Sequence, residues 1–91
     1  MIERAIKAEP DNPAYLDSLG WVLFRLGRPG EALAPLEKAV RLLPKPDSTV
    51  LDHLGDVLAA LGRKEEARKA WTQSLTAQPS DEVRKKLDSL R

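Results

Sequence analysis

Apolar residues recur along this chain with the three- and four-residue spacing of helices that bury one face. The pattern predicts six helices, at 2–9, 13–26, 30–43, 47–61, 64–77 and 80–90. Their predicted core comprises Tyr15, Leu16, Leu19, Val22, Leu23, Leu26, Ala32, Leu33, Leu36, Ala39, Val40, Leu43, Val50, Leu51, Leu54, Val57, Leu58, Leu61, Ala67, Trp71 and Leu75. Because the connections are short, neighbouring helices are expected to run antiparallel, and the fold class is all-α.

Residues suited to helix ends stand where the apolar pattern starts and stops. Asn12, Asp47 and Ser80 each lie three residues before an apolar residue, where a side-chain oxygen can accept a hydrogen bond from a first-turn amide. Gly27 and Gly62 each follow a leucine, as glycine does where a helix closes in the left-handed conformation. Local residues alone therefore predict most of the helix boundaries.

The chain also repeats itself. Shifted by 35 residues, 13–44 matches 48–79 with 12 identities in 32 pairs, and a partial third copy precedes them. Gly20 and Gly55 recur in mid-helix, where glycine costs up to about 1 kcal/mol relative to alanine. We expect Ala32 or Ala67 of the following helix to pack closely against each glycine.

The recurring residues resemble the tetratricopeptide repeat (TPR) family. The resemblance is carried by Leu16, Leu19, Gly20, Leu23, Gly27, Ala32, Leu36, Ala39 and Pro44, and again by Leu51, Leu54, Gly55, Leu58, Gly62, Ala67, Trp71, Ser74 and Pro79. It implies an α-solenoid of antiparallel helix pairs, with the second helix of a truncated repeat at 1–12, repeats at 13–46 and 47–79, and a capping helix at 80–91. The run from Asp17 to Trp21 also resembles the closing repeats of bacterial members, which implies the C-terminal part of a longer bacterial protein.

Composition narrows the classes of function. Fifteen Lys and Arg against 14 Asp and Glu give a formal net charge of +1, which argues against a nucleic-acid-binding surface. The lack of cysteine excludes thiolate zinc sites and cysteine nucleophiles, but it suits the cytosol and the periplasm equally, so the localisation stays open. The longest apolar run, Val57 to Leu61, is far shorter than the ~20 residues of a membrane span.

A cluster of titratable residues surrounds the single histidine. His53 is flanked by Asp52 and Asp56, and with Asp17 these residues could just supply the ligands of a metal ion. On an exposed helix face such a run usually forms a solvated stripe, and no nucleophile or substrate pocket is signalled. We therefore expect no catalytic residue, metal or cofactor. The run Arg84-Lys85-Lys86 lies among acidic residues and is interpreted as a mixed-charge surface.

One stripe of each repeat's first helix remains once the core is assigned. It holds Asp17, Trp21, Phe24 and Arg25 in the first repeat and Asp52 and Asp56 in the second. Resemblance to the family implies that this stripe lines the concave groove in which TPR arrays hold peptides. Large aromatic residues on a face that packing leaves free favour binding. The alternative is that Trp21 or Phe24 folds back over the helix junction and covers core.

The sequence therefore predicts a non-enzymatic protein-interaction module that binds a basic, apolar segment of a protein partner of unknown identity. Family members that grip a C-terminal carboxylate use Lys, Arg and Asn along the groove, whereas this stripe carries three aspartates. The competing interpretation is a purely architectural end-piece of a longer solenoid, with no ligand of its own.

The N-terminal edge generates a first prediction. The chain opens on a predicted second helix, so we expect Met1 to mark a cut in a longer array that leaves Ile2, Ala5 and Ile6 partly uncovered. Residues 1–9 should fray, and the protein should be monomeric or self-associate weakly through this edge. Hydrogen exchange measures the fraying. Protection of 1–9 equal to that of 47–61, in a strictly monomeric sample, would contradict the prediction.

Overall fold

The computed structural model describes residues 12–90, in which five α-helices follow one another without a strand. They are α1 (Pro13–Arg25), α2 (Pro29–Leu42), α3 (Ser48–Ala60), α4 (Lys64–Ala77) and α5 (Asp81–Asp88). Each agrees with its predicted range to within two residues at either end. The predicted helix 2–9 lies outside the described residues. In the described part of the chain, no helix is both long enough and apolar enough to cross a membrane.

The three predicted N-caps are confirmed. Asn12 and Asp47 each accept hydrogen bonds from two first-turn amides, the shorter being 2.9 Å in both cases. Ser80 accepts one from the amide of Val83 at 3.4 Å. These side chains satisfy amides that the helix itself leaves without a partner.

The predicted glycine closures are confirmed as well. Gly27 and Gly62 have φ values of 79° and 78°, in the left-handed region that favours glycine. The amide that follows each glycine returns to the helix, so that Arg28 donates to the carbonyl of Leu23 at 2.9 Å. The chain thereby reverses within three residues and starts the second helix of the pair.

The core lies at the junctions between successive helices. In one buried cluster, Leu16 of α1 meets Ala39 of α2 and Val50 of α3. In the next, Ala32 and Leu36 of α2 pack against Val57 of α3. The third joins α3, α4 and α5 through Leu58, Ala67, Ala70, Trp71 and Val83. Each helix pair is therefore stabilised by its neighbour, as in a solenoid.

Four predicted core residues lie nearer the surface than expected. Leu26 is 66% exposed and Leu61 36% because both are C-cap residues at the edge of a turn. Val22 is 40% exposed although the matching Val57 is fully buried, and Tyr15 is 36% exposed. Val57 is covered by α2, the helix that precedes its own, whereas the helix predicted to precede α1 falls outside the described residues.

The mid-helix glycines mark close approaches, but their partners differ from those predicted. A methyl group on Gly20 would lie 2.5 Å from Cγ of Leu36, and one on Gly55 would overlap the indole of Trp71. The prediction of Ala32 and Ala67 was wrong because the missing side chain makes room for a large residue one turn further along the partner helix. The indole Nε1 of Trp71 also donates to the carbonyl of Asp52 at 3.2 Å.

Two glycine substitutions test this packing. Gly55→Ala should lower the free energy of unfolding by about 1–3 kcal/mol, because Trp71 must move to admit the methyl group. Gly55→Leu should cost more. Chemical denaturation gives these values.

Gly30 provides the matched control. It lies in the first turn of α2 with no heavy atom near the position a methyl group would take. Gly30→Ala should therefore be neutral or stabilise the protein by up to about 1 kcal/mol. If both alanine variants shift stability equally, the close approach at Gly55 does not govern the packing of α3 against α4.

Candidate functional site

The first helices of the two pairs, α1 and α3, present the stripe singled out in the sequence. We call its residues the α1–α3 face; they are Asp17, Trp21, Phe24, Arg25, Asp52 and Asp56. Asp17 and Trp21 lie one turn apart on α1, as do Asp52 and Asp56 on α3, so each pair projects from one side of its helix. In the structure, Asp17 and Trp21 contact His53 of α3. Asp52 and Asp56 contact Lys86 of α5 in the same way.

His53 is held by the first pair. Its Nδ1 lies 2.8 Å from Oδ1 of Asp17, and both side chains are only 18% exposed. The indole of Trp21 stacks on the imidazole, with ring centroids 4.1 Å apart and ring planes inclined by 19°. A carboxylate and an aromatic ring from α1 thus fix the position of one side chain of α3. We call Asp17, Trp21 and His53 the His53 clamp.

Lys86 is held by the second pair. Its Nζ lies 2.8 Å from Oδ1 of Asp52 and 3.1 Å from Oδ1 of Asp56. The lysine side chain is 34% exposed and the two carboxylates 26% and 15%. The ammonium donates charge-assisted hydrogen bonds to Oδ1 of Asp52 at 2.8 Å and to Oδ2 of Asp56 at 3.2 Å, which tie α5 to α3. We call Asp52, Asp56 and Lys86 the Lys86 clamp.

The two clamps occupy equivalent places in successive repeats. The 35-residue shift places Asp17 on Asp52 and Trp21 on Asp56. His53 and Lys86 correspond too, because each stands three residues after a buried valine near the start of its helix. Each first helix therefore offers two residues, one turn apart, to a base on the next first helix.

Burial and charge pairing combine differently for the pKa values of Asp56 and Lys86 in the Lys86 clamp. Desolvation raises the pKa of Asp56 even though the Lys86 ammonium acts to lower it. Burial alone would lower the pKa of Lys86, but hydrogen bonds and Coulombic attraction to Asp52 and Asp56 together outweigh it and raise that pKa. The lysine is thus a stable cation, whereas Asp56 carries negative charge that its surroundings only partly compensate.

The aromatic residues are half-buried rather than free. Phe24 packs against the buried cluster of α2 and α3, and its ring centroid lies 5.3 Å from that of Trp21. Phe24 therefore covers core, as the alternative interpretation of the stripe held. Trp21 lies between the Phe24 and His53 contacts on the surface of the helix pair. Arg25 is exposed at the end of α1.

Sequence analysis placed Lys86 in a mixed-charge surface and did not predict its pairing with Asp52 and Asp56. Its neighbour Lys85 is exposed. A signal was present, because Val83, Lys86, Leu87 and Leu90 share the i, i+3, i+4, i+7 spacing of one helix face. Since Val83, Leu87 and Leu90 dock on the preceding helices, the lysine between them had to point inward too.

The structure also places the candidate metal ligands. Asp17 and His53 pair with each other, and Asp52 and Asp56 share the Lys86 ammonium. Within residues 12–90, no three His, Cys, Asp or Glu side chains are grouped so as to hold a metal ion. The arrangement is suited to fixing helices and presenting charge.

Comparison with known proteins places this geometry in a family. The family described as tetratricopeptide repeat-like domain matches residues 14–91. A TPR repeat-containing protein of Pseudomonas aeruginosa is 41% identical over 56 residues, which are 62% of this chain and 9% of that protein. The small glutamine-rich tetratricopeptide repeat-containing protein 2 of Mycosarcoma maydis is 29% identical over 83 residues, which are 91% of this chain and 23% of that protein.

Solved structures share the fold. The first TPR of Spaghetti (RPAP3), bound to the HSP90 peptide SRMEEVD, superposes with a TM-score of 0.91 at 24% identity and covers 98% of this chain and 71% of that one. The N-terminal domain of stress-induced protein-1 (STI-1) from C. elegans has a TM-score of 0.82 at 21% identity and covers 98% of this chain and 75% of that one. This chain spans under a quarter of the two curated relatives, and it belongs to the tetratricopeptide repeat-like family.

Proposed function

We propose that this protein is an interaction module that holds a peptide segment along the α1–α3 face. Family and fold support the protein-interaction role in general. The observation that carries the finer proposal is the composition of this face, where a half-buried tryptophan and three aspartates lie on helices whose other sides form the core.

The charge of the face favours a basic ligand. The α1–α3 face and the two clamps carry three carboxylates, which the ammonium of Lys86 and the guanidinium of Arg25 only partly offset. The peptide bound by the Spaghetti domain carries two Glu and one Asp against one Arg. Such an acidic segment, or a free C-terminal carboxylate, would meet like charge along most of the α1–α3 face. Lysine or arginine in the ligand would instead complement it.

Trp21 is the proposed apolar anchor. Its ring is held by the imidazole of His53 and adjoins Phe24, so little side-chain freedom remains to be lost on binding. The part of the indole left accessible can support an apolar ligand residue beside the carboxylates. With two helix pairs, the contact is small. We expect micromolar affinity or weaker, which corresponds to a binding free energy of about −8 kcal/mol at best.

A second candidate function also has a specific observation behind it. Both aromatic residues and all three aspartates already make contacts within the chain. An architectural end-piece would use the clamps only to fix the angle between successive repeats. It would bind no peptide on the α1–α3 face.

Peptide titration separates the two candidates. A library of basic–apolar and acidic peptides is measured against the wild type, Trp21→Ala and the double variant Asp52→Lys/Asp56→Lys. Loss of the anchor should weaken binding of the basic–apolar peptides by about 2 kcal/mol. Each aspartate replaced should contribute up to about 1 kcal/mol more.

Two control variants match these changes. Leu26→Ala removes a largely exposed apolar side chain at the C-cap of the helix that carries Trp21. Glu65→Lys/Glu66→Lys makes the same change in net charge on α4, where both glutamates are exposed. Neither control should alter affinity by more than about twofold, a few tenths of a kcal/mol. Tighter binding of acidic peptides, or equal effects of test and control variants, would replace the peptide-binding proposal by the architectural one.

A further inference from the structure

We propose that Lys86 competes with a basic residue of the ligand for the carboxylates of Asp52 and Asp56. In this way α5 sets the affinity and charge preference of the α1–α3 face. This inference rests on the proposed peptide-binding function and concerns the occupancy of the same site. It follows from where Lys86 lies, from which partner in its clamp is mobile, and from the charge left around it.

Lys86 occupies the place that a ligand base would take. Its ammonium bridges Asp52 and Asp56 at 2.8 and 3.1 Å, and these are the two carboxylates of α3 on the α1–α3 face. A cationic ligand residue can reach both carboxylates at once only when the lysine withdraws. The carboxylates of Asp52 and Asp56 can therefore pair either with Lys86 or with a basic residue of the ligand.

The two sides of this clamp differ in how firmly they are held. The carboxylates project from α3, which buries five residues, namely Val50, Leu51, Gly55, Val57 and Leu58. The ammonium ends a flexible stem on α5, an eight-residue helix in which Val83 alone is buried. Withdrawing Lys86 requires rotamer changes of an unbranched side chain, whereas moving the carboxylates would disturb the core.

The chemistry of the guanidinium group favours arginine as the ligand residue that displaces Lys86. An ammonium is a compact point charge, whereas a guanidinium presents several donors in a planar fork that suits two acceptors at once. Two carboxylates against one lysine also leave an excess of negative charge around the Lys86 clamp. The expected ligand is thus an arginine next to an apolar residue that rests on Trp21.

Lys86→Met tests the competition, and Lys85→Met is its matched control. The control removes the same charge from an exposed neighbour on the same helix. The probe is a labelled peptide with one arginine beside a leucine, compared with the same peptide carrying neutral citrulline. Lys86→Met should bind the arginine peptide about three- to tenfold more tightly than the wild type. Lys85→Met should stay within about twofold, and the citrulline peptide should bind all variants alike.

A second variant and a direct observation cover the case in which Lys86→Met is poorly folded. Lys86→Arg keeps a cation in the clamp and gives it the planar guanidinium geometry that suits two carboxylates. This variant should therefore bind the arginine peptide more weakly than the wild type does. In the unaltered protein, the NMR signal of the Lys86 side-chain ammonium should shift towards that of a solvated lysine as the peptide is added.

The outcomes distinguish the two proposals. If the wild type binds the arginine peptide but Lys86→Met gains no more than Lys85→Met, Lys86 is not a competitor and peptide binding itself stands. If no variant binds any peptide, the proposed function fails and the competitor role with it. Binding by Lys86→Met in the absence of binding by the wild type would support the competitor role most directly.

Discussion

Close approach of the two helices within each pair is the constraint on which the rest of the structure depends. Gly20 and Gly55 have no side chain at the point of contact, and Leu36 and Trp71 fill the space. Each glycine costs helix propensity, but it lets a large apolar residue pack against backbone and so fixes the distance and rotation of the partner helix. In the second pair, the hydrogen bond from the Trp71 indole to the carbonyl of Asp52 adds a polar restraint at the same place.

That restraint reaches the candidate site through Asp52. Its carbonyl accepts from Trp71 on the core side, and its carboxylate accepts from Lys86 on the α1–α3 face. Packing of α3 against α4 thereby sets the direction in which Asp52 and Asp56 point. The site is built on a helix that is packed from both sides, which is the firm support that a recognition surface needs.

The clamps add a second role to residues that would otherwise be only surface charge. His53 and Lys86 each connect one first helix to the previous one, across 36 and 34 residues of sequence. Lys86 neutralises part of the acidic stripe, and His53 holds Trp21 in a defined orientation. The proposed recognition and the stacking of repeats therefore involve the same side chains, and for this reason the architectural and the peptide-binding interpretations use the same residues.

Local sequence determined much of this protein. Caps such as Asn12 and Asp47, and closures such as Gly27, act within a few residues of the helix end, so their side chains predict the boundaries directly. The repeat predicted the pairing of helices, because apolar spacing and mid-helix glycine recur together. Tertiary structure alone decided which residue fills the space at each glycine and which base enters each clamp. Lys86 meets Asp52 only because Val83 and Leu87 dock α5 in one rotation on the preceding helices, and a contact between residues 34 positions apart depends on that rotation. The same holds for Trp21, whose half-buried stack on His53 exists only once α1 and α3 lie side by side.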